Sequence, residues 1–276
     1  MGLRIKTNVA SLAVQKNLKQ IDGKASESFQ KLSSGKRITK SADDAAGLAI
    51  ANKMDAEIRG SRMAQRNANG GISIVQIAEG GLNETSNIMT RLRELSVQAA
   101  SDTVGDKERG FLNLEYNQLV EEVDRISKTT KFGDIELLSG EGDQMDFHVG
   151  AYAGENNKIS FDATETNATA DSLGISGTGI ATKDDAATNL QVIDDAITQV
   201  SGYRANFGAL QSRLQSTVAN LDTSIVNSEA AKSQIEDVDI AAESAKLASN
   251  NVIKQAATST LAQANGLPAS ALRLIG

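Results

Sequence analysis

From Leu190 to Ile225 the apolar residues Leu190, Ile193, Ile197, Val200, Phe207, Leu210, Leu214, Val218, Leu221 and Ile225 recur at intervals of three, four or seven. That spacing draws one continuous stripe along an α-helix, and so long a stripe with polar neighbours needs a partner helix of matching pattern. The 63–101 stretch supplies one, with Ile74, Ile77, Gly81, Ile88, Leu92, Leu95 and Ala99 on a similar rhythm. A second helical segment starts near Asp43-Asp44, whose carboxylates suit the positive end of a helix, and runs past Gly47 to Ile50. Nothing interrupts these patterns, because the chain has a single proline, Pro268, in 276 residues.

Shorter stripes flank the long ones. Val14, Leu18, Ile21, Ala25, Phe29 and Leu32 predict a helix that Ser33-Ser34-Gly35 ends, and 37–46 reads as an irregular connector. Leu112, Leu119, Val123 and Ile126 predict a helix over 106–129. An Ala-rich helix over about 244–265 is expected to stop before Gly266-Leu267-Pro268. Between Phe132 and Asp162 the period changes to two in Asp146-Phe147-His148-Val149 and Lys158-Ile159-Ser160-Phe161, which predicts one or two small hairpins. Residues 163–186 are mostly Ala, Thr, Asp, Ser and Gly, and read as an exposed connecting segment. The fold class is therefore mainly α: an elongated antiparallel helical bundle or coiled coil with a small β-hairpin insert. Only 3% of residues are aromatic and Trp is absent, so the core must be slender and aliphatic.

Composition excludes several kinds of work. A net charge of −7 opposes nucleic-acid binding, which needs a concentrated positive field. No run of 18 apolar residues is available for membrane insertion, and the first ten residues hold no apolar stretch of the kind a secretory signal requires, so any export is expected by another route. Without cysteine there is neither a disulfide nor a thiolate metal site. The one histidine, His148, sits in a strand-like run with no nucleophile motif, no His-Glu-x-x-His sequence occurs, and 141–146 lacks the spacing of a calcium loop. The chain reads as a structural protein rather than an enzyme, with no cofactor, catalytic residue or metal ligand.

The ends pose an energetic problem. Fixing the backbone of some 35 N-terminal residues costs more than six apolar side chains return, so a lone pairing of the two terminal helices is marginal. Both ends are expected to be largely disordered in the monomer and to become helical when other copies supply buried surface.

Two long motifs carry a family resemblance. The run Phe29-Gln30-Lys31-Leu32-Ser33-Ser34-Gly35-Lys36-Arg37-Ile38, followed by Ser41-Ala42-Asp43-Asp44-Ala45-Ala46-Gly47-Leu48-Ala49-Ile50, resembles the N-terminal signature of bacterial flagellins. Thr260-Leu261-Ala262-Gln263-Ala264-Asn265 is similar to their C-terminal signature, and Leu272 to Ile275 to their apolar tail. The likeness covers about 1–150 and 186–276, departing at Gln234, often Arg in the family, and at Gly133-Asp134, where Asn-Gly is common.

The resemblance implies a secreted, extracellular subunit that polymerises with itself into the flagellar filament used for swimming. The related alternative is a hook-filament junction protein. It also implies type III export, an export chaperone, and contact with cap and hook-filament junction proteins. On that pattern 1–40 is an inner-core helix and connector, 41–162 the outer-core helices and hairpin region, 163–186 a short variable surface segment, 187–235 an outer-core helix and 236–276 an inner-core helix. Inner-core polymerisation would use Val14, Leu18, Ile21, Phe29, Leu32, Leu261, Ala264, Leu272, Leu274 and Ile275. Outer-core packing would use Ile88, Leu92, Leu95, Phe207, Leu214 and Leu221. Met89 to Leu95 resembles the helix by which a Toll-like receptor recognises many flagellins, with Arg91, Leu95 and Glu115 on matching positions, although Thr90 replaces a common glutamine. Some flagellins carry O-linked sugars, for which Thr164, Thr169, Ser172, Ser176 and Thr178 are the candidates in the connecting segment.

Overall fold

The structure, a computed structural model, describes residues 7–273, with the backbone alone for 267–273. In chain order the elements are α1 (Val9–Ser34), α2 (Ala45–Ala99), α3 (Asp106–Thr129), β1 (Lys131–Phe132), β2 (Ile135–Glu136), β3 (Gln144–His148), β4 (Lys158–Asp162), α4 (Lys183–Glu236) and α5 (Ile240–Arg273). Polar side chains start the helices by taking up N–H groups that have no partner within the helix. Asn8 Oδ1 accepts from the Ser11 N–H at 3.1 Å, Asp44 Oδ1 from Gly47 at 2.8 Å, and Asp239 Oδ1 from Ala241 at 2.9 Å. Thr182 Oγ1 accepts from the Asp185 N–H and donates back to its carboxylate, a reciprocal cap. At the other end of α1, Gly35 adopts φ 70°, the left-handed conformation that closes a helix and that a side chain would strain.

The described residues form two units. The larger, Glu57–Val226, holds the main core. On α2 a row of its buried positions runs Ser61, Ala64, Ala68, Gly71, Val75, Ala78, Leu82, Thr85, Met89, Leu92, Ser96 and Ala99, alternating three and four, with Ile58, Ile74 and Leu95 buried beside it. Such a seam keeps its face toward a partner over many turns. The sequence stripe had the right period but drifted in phase, since Ile77 is exposed while Val75 and Ala78 are buried. Within this unit α4 lies antiparallel to α2, as Gln65 bonds Asp222 and Arg93 bonds Asp194, both at 2.7 Å. Leu92, Leu95, Phe207 and Leu214 are buried, and Ile88 and Leu221 are half-buried.

Arg109, itself buried, closes the turn from α2 to α3 by donating to the carbonyls of Ala99 (2.8 Å) and Val104 (3.0 Å). Gly81 admits the end of α3, for a Cβ there would stand 2.6 Å from Thr130 Oγ1. The two hairpins β1–β2 and β3–β4 are antiparallel. β4 buries Ile159 and Phe161, the latter with its ring 5.5 Å from that of Phe207.

The connecting segment departs from expectation. Leu173, Ile175 and Ile180 within 163–186 are buried, and its backbone is tied down by Ala168 N–H to Leu138 O (2.8 Å) and Ile180 N–H to Asn113 Oδ1 (2.7 Å). Three well-placed aliphatic anchors are enough to dock a stretch that looks polar on average.

In the smaller unit, the described residues up to Ala56 with Asn227 onward, α1 and α5 pair antiparallel. The connectors at their ends are clasped together. Arg37 N–H donates to Glu236 O at 2.6 Å, Val238 N–H to Gly35 O at 3.0 Å, and the Arg37 guanidinium twice to Ile235 O. Lys36 pairs with Glu236, and Lys232 with Asp55 at 2.5 Å. α5 does not stop at 265 as expected; its backbone stays helical through Pro268 to Arg273. A proline removes one rung of the ladder, and that loss is tolerable when the orphaned carbonyl finds another donor.

Candidate assembly surface

Ser11, Val14, Leu18, Ile21, Ala25, Ser28 and Leu32 form a row of half-buried and buried positions on α1, again alternating three and four, with Lys31 half-buried beside it. They meet Glu243, Leu247, Asn250, Ala257, Leu261 and Ala264 of α5. Of the expected polymerisation residues, Val14, Leu18, Ile21, Leu32, Leu261 and Ala264 therefore lie in a seam within one chain. Phe29 does not: it is 64% exposed, and the strict alternation puts Ser28 in the seam instead. The Leu272 side chain and all of Leu274 and Ile275 lie outside what the structure describes.

The seam is thin. Ser11, Ser28, Glu243 and Ala264 are its buried members, so small and polar groups occupy places that Leu or Ile hold in a self-sufficient coiled coil. Glu243 is held below the ordinary carboxylate range, first by the Ser28 hydroxyl and then by Lys246, whose Nζ stands 3.0 Å away. Large apolar side chains face solvent instead, with Val9, Leu12 and Phe29 on α1 and Ile240, Val252 and Ile253 on α5. Helices apolar on more than one face are suited to burial on more than one side.

Elsewhere the candidate residues divide. Arg91 and Glu115 come together, Nη2 to Oε1 at 2.8 Å, with Glu94 on the same guanidinium at 3.0 Å. Leu95 does not join them; it is 0% exposed in the main core, so the expectation that it meets a receptor is corrected by its burial. Thr164, Ser172 and Ser176 are exposed. Thr169 and Thr178 are half-buried with their hydroxyls engaged, Thr169 to Asn167 Oδ1 and Thr178 to Ile175 O and Tyr116. A sugar on either would displace those bonds, so they are poorer acceptors than expected. His148 is exposed, and its carbonyl accepts from Asn67 at 2.9 Å. Among the described residues no group of His, Asp or Glu could hold a metal, and no helix is long and apolar enough to cross a membrane.

A family model of the bacterial flagellin N-terminal helical region matches residues 5–143, and one of the C-terminal helical region matches 190–275. The chain belongs to the bacterial flagellin family. A flagellin of Halalkalibacterium halodurans is 39% identical over 98% of this chain and 99% of its own length. The flagellin of Bacillus subtilis is 38% identical over 99% and 100%. The crystal structure of Bacillus cereus flagellin superposes with a TM-score of 0.51 at 26% identity, covering 56% of this chain and 88% of that one. The matched regions contain α1, α2, α3, the β1–β2 hairpin, most of α4 and α5, while 144–189, which includes β3, β4, the docked connector and the first turns of α4, falls between them.

Asn8, Ser11, Ser28 and Glu243 are polar, so a stripe drawn through apolar residues passes over them. The signal was present in the phase: continuing the three-four alternation from Val14 and Leu18 lands on Ser11 and Ser28.

Proposed function

We propose that this chain is the structural subunit of a bacterial flagellar filament, polymerising through α1 and α5. The observation that carries this is the imbalance in the smaller unit. Its seam is lined by small and polar groups, while Val9, Leu12, Phe29, Ile240, Val252 and Ile253 face solvent. The seam residues Val14, Leu18, Ile21, Leu32, Leu261 and Ala264 hold one chain's two ends together, and the outward set, with the apolar tail Leu272, Leu274 and Ile275, packs against neighbouring copies. Contacts between unlike patches of successive subunits do not close on themselves and so extend into a helix.

In solution the two ends are largely unfolded, and they become helical as the filament grows. The subunit leaves the cell by the flagellar type III route with an export chaperone and adds beneath a cap, on a base set by junction proteins. The filament works outside the cell in swimming. A Toll-like receptor would meet the exposed Arg91–Glu115 pair rather than Leu95.

Seeded polymerisation of purified protein, viewed by negative-stain microscopy, tests the reading. Long filaments are expected. Protein that stays monomeric, or forms only short caps on the seeds, would overturn it and favour the junction-protein alternative.

A further inference from the structure

In a regular helix the carbonyl of residue 264 accepts from the N–H of residue 268. Here residue 268 is proline, which has no N–H, and it is the only proline in the chain. The orphaned carbonyl belongs to Ala264, just 6% exposed in the α1–α5 seam, where water cannot readily replace the missing donor. The replacement comes from the far end of the sequence: Asn8 Nδ2 donates to Ala264 O at 2.8 Å. The other end of the same amide, Oδ1, caps the first turn of α1. One turn on, Ser11 Oγ donates to Asn265 Oδ1 at 2.7 Å.

We propose that Pro268 and Asn8 form a two-part register lock, in which the proline empties one carbonyl of α5 and the asparagine fills it, so that α1 and α5 pair at a single offset. The clasp of Gly35 and Arg37 with Ile235, Glu236 and Val238 holds the other end of the pair, and this contact holds the end at Asn8 and Ala264. The buried members of the seam are Ser11, Ser28, Glu243 and Ala264, with no large aliphatic group fully buried among them, so apolar packing alone discriminates weakly between offsets, and a buried polar contact is the means by which coiled coils fix register. A slip of one heptad toward the start of α5 would bring Asn8 to Ala257 O, which already has its helical donor, and would leave Ala264 O unpaired. The lock acts between α1 and α5 of one chain, in whichever form that pair is ordered.

Asn8→Asp separates the two roles of the side chain, because it keeps the capping oxygen and loses the donor. The chain has no cysteine, so nitroxides on Lys19→Cys and Ala256→Cys, both exposed, report the offset without competing labels. Labelled full-length chain diluted into unlabelled chain is measured by pulsed electron resonance, both soluble and after seeding. In the form where the pair exists, a single narrow distance is expected. Asn8→Asp adds a second population displaced by about 10 Å along the helix axis, seven residues at roughly 1.5 Å each. Pro268→Ala restores the helical donor, and in that background Asn8→Asp is expected to leave the distribution unchanged. A broad distribution in both forms of the parent chain, no effect of Asn8→Asp, or an equal effect in both backgrounds overturns the lock. Filament growth is scored separately, so failure to polymerise is not confused with failure of the lock.

Discussion

Replacing Phe29 by alanine separates assembly from folding more cleanly than any seam variant. Phe29 is 64% exposed, so most of its ring contributes nothing to the isolated subunit and stays available to a neighbour. Full burial of such a side chain is worth about 1.5–3 kcal/mol, and the exposed share leaves roughly 1–2 kcal/mol for assembly. At about 1.4 kcal/mol per tenfold, the concentration of subunit left in solution after polymerisation should rise about 5- to 30-fold. The assay is seeded growth to a plateau, sedimentation of the filaments, and measurement of protein in the supernatant. Urea unfolding of the larger unit, run alongside, should keep its midpoint. A supernatant concentration within twofold of the parent, with filaments still growing, would refute the view that Phe29 meets another copy. A fall in that midpoint would mean that the substitution disturbs the larger unit, and would contradict the separation of assembly from folding.

Arg109→Met keeps the length of the side chain but abandons the carbonyls of Ala99 and Val104 inside the α2–α3 turn; at roughly 1–3 kcal/mol for each buried unpaired acceptor the loss should be about 2–6 kcal/mol, read from the urea midpoint at unchanged slope, and a loss below about 1 kcal/mol would contradict the account. Glu243 has a carboxyl held below its ordinary value of 4.5 in the folded pair, so its contribution is present above that value and lost as pH falls through the lower folded value. The α1–α5 pairing should therefore weaken below about pH 4.5, and Glu243→Gln should flatten the acid limb of helicity in assembled protein; an unchanged limb would count against it. Arg91→Ala breaks an ion pair that solvent screens, so stability should hardly change while receptor signalling in a reporter cell falls; undiminished signalling would remove the pair from the receptor surface.

Much of this molecule was legible because its helices are long and their period is clean. The stripe from Leu190 to Ile225 became α4, Ser33-Ser34-Gly35 ended α1, and the alternation around Phe147 and Ile159 became β3 and β4. What misled was phase. Where seams are built of Ser, Ala and Gly, the largest apolar residues need not mark the buried face, so Ile77 and Phe29 drew the stripe away from Val75 and Ser28. Pro268 looks like a stop in the sequence because Asn8, which fills the carbonyl of Ala264 that the proline empties, lies 256 residues before Ala264. The connector around Leu173 looked solvated on average composition, since three anchors hardly alter an average. Leu95 matched a receptor motif in sequence and lies in the core in space; a motif fixes spacing along the chain, while burial depends on what packs against it.

The central claim is that α1 and α5 gain their stability from other copies. Amide hydrogen exchange across 9–34, compared between soluble subunit and filament under the same buffer, addresses it directly. Exchange should slow by about 100-fold or more in the filament, the counterpart of roughly 3 kcal/mol supplied by neighbours, while amides of the buried α2 seam change little. Equal and strong protection of 9–34 in both states would mean that one chain settles its own ends, and the account would be wrong.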